Sequence, residues 1–289
     1  MAIPDLSKLL FEPLDFSGVT TLVDWARNEG WNPGPHDAEV FYATDPNGFY
    51  GYFYDGELIA GGSVVSYGGA VGFMGFFIVR PEYRASGIGR RLWFRRRDYL
   101  LSRLNEGAPI GMDGVVAMQP FYRKGGFLPA FRDERYVITG APCPVDQHVT
   151  SITAVDFSEV FDYDRLCFGF SRPVFLKQWL ELPGSFSFKY VSGRQLAGFA
   201  VMRKATEGYK IGPLFADNVV IAEALYRACM NAVPGEPVFL DIPVSNPAAV
   251  GLANKYGATY VFECARMYYG KAPELPLEKI FGITTFELG

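Results

Sequence analysis

Histidine is nearly missing from this sequence, with His36 and His148 the only two. Cysteine is scarce as well: Cys143, Cys167, Cys229 and Cys264 each lie more than twenty residues from the next. No pair has the C-x-x-C spacing of metal or dithiol sites, so zinc chemistry and a Ser-His-Asp triad are both poorly supplied and no metal site is expected. The cysteines read as reduced, small hydrophobes. Charge is also sparse, at 20% of residues, with a net charge of −4 that divides into −2 on either side of residue 140. A chain that coats nucleic acid or anionic membrane carries a positive excess, and this one does not.

A membrane-spanning run is lacking too. The longest nearly uncharged stretch, Leu58 to Val79, contains six glycines and a polar centre at Ser66-Tyr67-Gly68-Gly69. That composition suits two strands and a hairpin better than a helix. Met1-Ala2-Ile3-Pro4-Asp5-Leu6 has neither the basic nor the apolar region of a signal peptide, so the expectation is a soluble, cytoplasmic protein.

What the chain does have is length and apolar content: 289 residues, 49% of them hydrophobic, enough for two packed domains. It also repeats itself. Gly56-Glu57-Leu58-Ile59-Ala60-Gly61 follows the aromatic run Phe49 to Tyr54, and Gly193-Arg194-Gln195-Leu196-Ala197-Gly198 follows Phe186 to Val191. The same offset places Gly75-Phe76-Phe77-Ile78-Val79 on Gly212-Pro213-Leu214-Phe215-Ala216, and Lys124-Gly125-Gly126 later falls near Lys255-Tyr256-Gly257. A constant offset followed by one deletion marks two copies of one fold.

Each copy reads as two antiparallel strands, a third strand, a helix, a strand, a short helix and a last strand. In the first copy these include a strand over Val71 to Val79, a helix over Gly87 to Leu104, a strand over Ile110 to Val116, a short helix over Gln119 to Lys124 and a strand over Phe131 to Thr139. Tyr209 to Phe215, Val219 to Val233, Pro237 to Ile242, Pro247 to Tyr256 and Thr259 to Tyr268 form the corresponding set in the other copy. A first helix is expected near Val19 to Asn28. Pro142 and Pro144 mark a linker. The expected fold is an α/β mixed sheet in two tandem domains, 1–140 and 141–289.

The most informative segment joins a β-rich run to a helix: Val79-Arg80-Pro81-Glu82-Tyr83-Arg84-Ala85-Ser86-Gly87-Ile88-Gly89-Arg90. Backbone N–H groups at a helix start are unpaired and point outward, and the helix dipole favours an anion there. Gly87 and Gly89 let phosphate oxygens approach the backbone. The spacing is neither the Rossmann fingerprint nor a Walker loop. The run Arg95-Arg96-Arg97, with Arg90 and Arg91, wraps around the helix axis and reads as a solvated face, with Arg90 or Arg91 near enough to assist an anion.

Arg84-x-x-Gly87-x-Gly89, the preceding Phe77-x-Val79-x-Pro81 and the downstream Tyr122-Arg123-Lys124-Gly125-Gly126-Phe127 together resemble the GNAT superfamily of acyl-CoA-dependent N-acyltransferases. The resemblance covers both halves, with the C-terminal half similar to a degenerate domain that lacks a phosphate loop. It implies that Arg84, Ala85, Ser86, Gly87, Ile88, Gly89 and Arg90 bind the diphosphate of acetyl-CoA or another acyl-CoA. It implies further that backbone groups of Ile78 and Val79 pair with the pantetheine arm, and that Tyr122 protonates the departing thiolate. A phenol with an ordinary pKa of about 10 is a credible donor to a thiolate whose conjugate acid lies near 8.5.

No carboxylate lies between Val71 and Val79 to act as the family's usual base, which leaves ordered water, Asp113 or an acid of the N-terminal loop for that role. Asp113 has a partner at Asp241 in the second copy, a parallel equally suited to capping. The loop from Gly30 to Asp37 offers Trp31, Asn32, His36 and Asp37 to a small polar amine, and equally forms a rigid Pro/Gly turn. The function expected is N-acetyl transfer from acetyl-CoA to a small-molecule primary amine, by direct attack in a ternary complex. An acyl-CoA sensor and a protein acetyltransferase are the alternatives. No nucleic-acid or membrane partner is expected, and no segment speaks to oligomeric state.

Overall fold

The computed structural model describes residues 5–289. The first repeat runs β1 (Leu10–Pro13), α1 (Phe16–Asn28), α2 (Asp37–Thr44), β2 (Phe49–Tyr54), β3 (Glu57–Ser63), β4 (Val65–Tyr67), β5 (Val71–Phe73), β6 (Ile78–Val79), α3 (Ile88–Leu101), β7 (Ile110–Val115), α4 (Gln119–Lys124) and β8 (Phe127–Thr139). The second runs β9 (Val149–Ser151), α5 (Phe157–Phe168), α6 (Pro173–Leu180), β10 (Phe186–Ser192), β11 (Gln195–Lys204), β12 (Tyr209–Ala216), α7 (Val219–Ala232), β13 (Pro237–Pro243), α8 (Pro247–Lys255), β14 (Thr259–Tyr269) and β15 (Ile280–Gly282). This is an α/β mixed-sheet fold with two similar domains.

Local chemistry explains most element boundaries. Asp15 caps α1 by accepting from the Gly18 N–H at 2.9 Å, and the helix buries Val19, Leu22, Val23 and Ala26 at helical spacing. Asn218 caps α7 from Val220 and Ile221, and Asn246 caps α8 ahead of Pro247. Helix α2 is not evident in the sequence, since it follows a Pro/Gly turn and its N-cap, His36, makes no side-chain capping bond.

Two sheets result. One has the order β1-β2-β3-β6; the other has eleven strands in the order β4-β5-β7-β14-β8-β13-β12-β11-β10-β9, with β15 added on β12. The central pairing is an exchange between domains. Strand β14, the last long strand of the second repeat, lies between β7 and β8 of the first. Strand β8 of the first lies between β14 and β13 of the second. Each repeat therefore completes the other's sheet, and neither has a free edge at the junction.

The cores are continuous as well. Helix α2 packs on α6 with Phe41 stacked on Trp179, centroids 6.2 Å apart, and the same buried cluster reaches Phe76, Phe199 and Phe215. A second core forms under α7 around Ala222, Leu225 and Cys229. Among the described residues no helix is long and apolar enough to cross a membrane.

The third strand of the first repeat is two pieces where one run over Val71–Val79 is expected. Strand β5 pairs in parallel with β7, and Met74 N–H still donates to the Gly111 carbonyl at 2.9 Å. The chain then turns through Phe76, whose φ is +49°, and β6 pairs only with β3. The four-stranded sheet thus parts from the large one between β6 and β7, leaving one edge of residues 76–79 without a neighbouring strand.

Candidate active site

That split opens into a cavity of about 490 Å³. It is lined by Arg84, Ala85 and Gly89 of the loop before α3, by Phe76 to Val79 and by Tyr122. The second domain closes it with Phe262, Cys264, Phe286 and Glu287. Residues from both repeats are needed to enclose this space.

At the loop, Ala85 and Gly87 have φ of +60° and +87°, and Gly87 is the N-cap of α3 without any side-chain cap. The first bond into the helix is Arg91 N–H to Gly87 C=O at 3.1 Å, so the N–H groups of Ile88, Gly89 and Arg90 precede it. A Cβ at Gly89 would sit 3.4 Å from Val79 Cγ2, so the glycine leaves an open cradle beside the strand end. These features fit a diphosphate.

The side chains of the loop face other partners. Arg84 Nε donates to the Val79 carbonyl at 2.8 Å, and its Nη2 pairs with Glu29. Ser86 Oγ donates to the Tyr83 carbonyl at 2.5 Å, so that hydroxyl is already engaged. Arg90 lies over Phe94. The solvated-face reading of the arginine run fails at Arg96, which is wholly buried. Its Nη2 donates to the carbonyls of Ser63, at the end of β3, and Gly75, between β5 and β6, and burial pulls its pKa down to about 9. Only from the inner face of α3 can a side chain reach both carbonyls.

Tyr122, on α4, is buried and stacks on Trp93 with centroids 5.8 Å apart. Among the described residues its hydroxyl has no hydrogen-bond partner. Burial raises its pKa far above the ordinary phenol value, the nearby Arg96 guanidinium pulls it down, and Cys264 adds a smaller upward push.

Four of the five residues expected at the acceptor site are engaged in other contacts. Asp113 touches the cavity, but its side chain is fully buried in a forked pair with Arg266 at 2.8 and 2.9 Å, which removes it as a free base. Asp37 is buried and forked onto Arg203 of the second domain at 3.0 Å for both bonds. Asn32 is clamped to the backbone of Glu207 across the domain interface. His36 points outward to Glu39 at 3.1 Å. The loop is an inter-domain dock, and only Trp31 lines the cavity, its carbonyl taking a bond from Lys210 at 2.9 Å.

Several lining groups have no counterpart among the expected site residues, among them Glu29, Arg135 and two more. Cys264 is one, although its thiol is held protonated by burial and by the charges of Asp113 and Asp241, which makes it a poor nucleophile. Glu287 is the other. The chain after β15 carries no periodic pattern, so nothing in the sequence marks its destination. No group of three or more metal-ligating side chains among the described residues could hold an ion.

The second repeat fills its equivalent features with its own chain. Strand β15 pairs with Leu214 and Phe215, which match Phe77 and Ile78 in the first repeat, and Ile283 N–H donates to the Asp241 carbonyl on β13 at 2.9 Å. The Asn218 side chain occupies the N–H groups that open α7. One split is plugged by a strand, and the other is open.

A sequence profile of the acetyltransferase (GNAT) family matches residues 16–127, and one of an acetyltransferase (GNAT) domain matches residues 160–282. Holothin acyltransferase of Pseudoalteromonas sp. (strain SANK 73390) is 32% identical over 268 residues, covering 92% of this chain and 90% of that protein. The chain belongs to the GNAT acetyltransferase family. Its two-domain fold recurs in a putative acetyltransferase from Pyrococcus horikoshii, at 21% identity and a TM-score of 0.83 over 99% of this chain and 97% of that one. A tandem GNAT protein from the clavulanic acid biosynthesis pathway shares the fold at 13% identity and a TM-score of 0.63, over 92% of this chain and 99% of that one.

Proposed function

We propose that this GNAT protein transfers an acetyl group from acetyl-CoA to the primary amine of a small molecule, by direct attack within a ternary complex. The observation that carries the reading is the single cavity that joins the phosphate loop, the free strand edge and Tyr122. Acetyl-CoA, when bound, supplies the activated thioester. The N–H groups of Ile88, Gly89 and Arg90 bind its diphosphate, and the free edge at Ile78 and Val79 takes the pantetheine as an added strand. The way β15 lies on Leu214 and Phe215 is an internal template for that pairing. Tyr122 delivers a proton to the leaving sulfur. One acyl-CoA site per chain follows, because the second split and the start of α7 are filled. The name of the holothin acyltransferase relative supports acyl transfer as the reaction class.

The test is thiol release from acetyl-CoA against a panel of amines, amino acids, polyamines and aminosugars, with acetyl-CoA binding followed by calorimetry. Turnover with one amine class supports the transferase. Binding without turnover on any acceptor favours an acyl-CoA sensor, and absence of binding removes the phosphate-loop assignment.

A further inference from the structure

Residues 283–289 cross from the second domain into the first and are nearly all buried. Their path is fixed at two equivalent glycines. A Cβ at Gly212 would lie 2.3 Å from the Thr284 carbonyl oxygen, and one at Gly75 would lie 2.1 Å from that of Glu287. Glycine at position 75 thus allows the tail backbone to touch the point where β5 and β6 separate. Arg172 secures the far end through the Gly289 carbonyl at 2.7 Å, and Tyr67 through that of Leu288 at 2.8 Å. The Glu287 side chain is therefore held by backbone contacts on both sides of it.

We infer that Glu287 is the carboxylate that receives the acceptor's ammonium group, and that the acceptor is a small molecule with a flat apolar body and a primary amine. The inference rests on the transferase reading above and names the acceptor class for that same cavity. Glu287 is 5% exposed and lines the cavity. Thr285 supplies its Oγ1–H to Oε2, and Oε1 has no partner among the described residues. No lysine, arginine or histidine nitrogen among them lies within 4.0 Å of the carboxylate, the limit for an ion pair.

The charges around it are otherwise spoken for. Asp113 is neutralised by Arg266, and Asp241 by Arg135. Asp133, buried without partners on β8, is pushed to hold its proton by burial and by Asp113 and Asp241. Lys210 donates to the Trp31 carbonyl. Glu287 is thus left without an ion-pair partner within 4.0 Å at a largely aromatic cavity wall, with Lys210 and Arg135 acting on it only at longer range, and an arriving cation gains more there than a neutral group of the same shape. Trp31, Phe76, Phe262 and Phe286 supply flat aromatic walls, with the Phe262 and Phe286 rings 5.8 Å apart and the Arg135 guanidinium, itself paired with Asp241, lying over both of those rings.

The test uses the full chain and two probes of equal shape, 2-phenylethylamine and 2-phenylethanol, titrated calorimetrically with and without CoA. Wild-type protein is expected to bind the amine at least tenfold tighter than the alcohol. Glu287→Gln, whose amide oxygen still accepts from Thr285, is expected to abolish that preference while alcohol binding, CoA binding and melting temperature stay unchanged. Glu287→Asp, which keeps the charge, is expected to restore part of it. A preference that survives in Glu287→Gln, or wild-type protein that binds the amine no tighter than the alcohol, overturns the inference. Failure of CoA to bind counts against the transferase reading alone, because the amine preference is also read without CoA.

Discussion

Asp113 accepts two hydrogen bonds from Arg266, a residue of the opposite domain, at 2.8 and 2.9 Å. The repeat forms the same fork in reverse, with Arg135 of the first domain donating to Asp241 of the second at 2.6 and 2.7 Å. Each arginine rides on an exchanged strand, so each domain contributes one arginine and one aspartate. The pairs flank the β8–β14 junction and fix its register. Removing one partner leaves a charge buried alone: Asp113→Ala is expected to cost about 3–5 kcal/mol in urea unfolding. The double change Asp113→Leu with Arg266→Met is expected to recover most of that loss. A cost under about 1 kcal/mol for the single change would show that water already reaches the pair.

Tyr122→Phe removes the proposed proton donor while keeping the ring that stacks on Trp93. Turnover is expected to fall about 10²–10⁴-fold with acetyl-CoA affinity unchanged. Because burial raises the phenol pKa, the donor form persists throughout the range in which the protein is handled. The rate should accordingly show no alkaline fall from this group up to about pH 9, since even an unshifted phenol titrates near 10. A kcat profile with a falling limb about two units below that value, absent in Tyr122→Phe, would contradict this assignment.

Much of this was legible in the residues. The constant offset between Gly56 and Gly193 identifies the repeat, and hydrophobic period and turn chemistry give α3, β7, α4 and their counterparts in the other copy within a few residues. The strand exchange was not legible, because β8 and β14 would satisfy their hydrophobic pattern equally well inside their own domains. Nor was the break between β5 and β6, which depends on Phe76 adopting positive φ against its preference. Asp37 and Asn32 look like ligand-binding groups in a loop, and only the arrival of Arg203 and Glu207 from 166 and 175 residues away makes them a dock. Glu287 could not be placed, since a short aperiodic tail carries no record of the cavity it enters.

The two loop glycines should fail differently. Gly87 has φ of +87°, so Gly87→Ala strains the backbone by about 1–2 kcal/mol and lowers the melting temperature. Gly89 has an ordinary φ, and its new methyl would make only van der Waals contact with Val79 and Phe77. Gly89→Ala is therefore expected to leave stability within about 0.5 kcal/mol. It should nevertheless raise the dissociation constant for acetyl-CoA about 10- to 100-fold, by holding phosphate oxygens off one or two N–H donors. Equal melting temperatures for the two variants, or unchanged acetyl-CoA affinity in Gly89→Ala, would count against this geometry.

Lys210 supplies a stability signature of the domain interface. It is buried, and burial, with the charges of Arg135 and Arg203, lowers its pKa to about 7 from an ordinary 10.5. Between those values the unfolded chain binds a proton that the folded chain does not, so stability rises with pH across that window. From about pH 7 to about pH 9 the gain is about 2 kcal/mol at full effect. Lys210→Met keeps the packing volume, loses the bond to the Trp31 carbonyl and removes the titration. Its unfolding free energy should therefore run flat where that of the wild type climbs, so that the wild type gains on the variant steadily across the window. Parallel pH profiles for the two would mean that Lys210 remains protonated in the fold, with its charge carried by the Glu287 and Asp241 carboxylates.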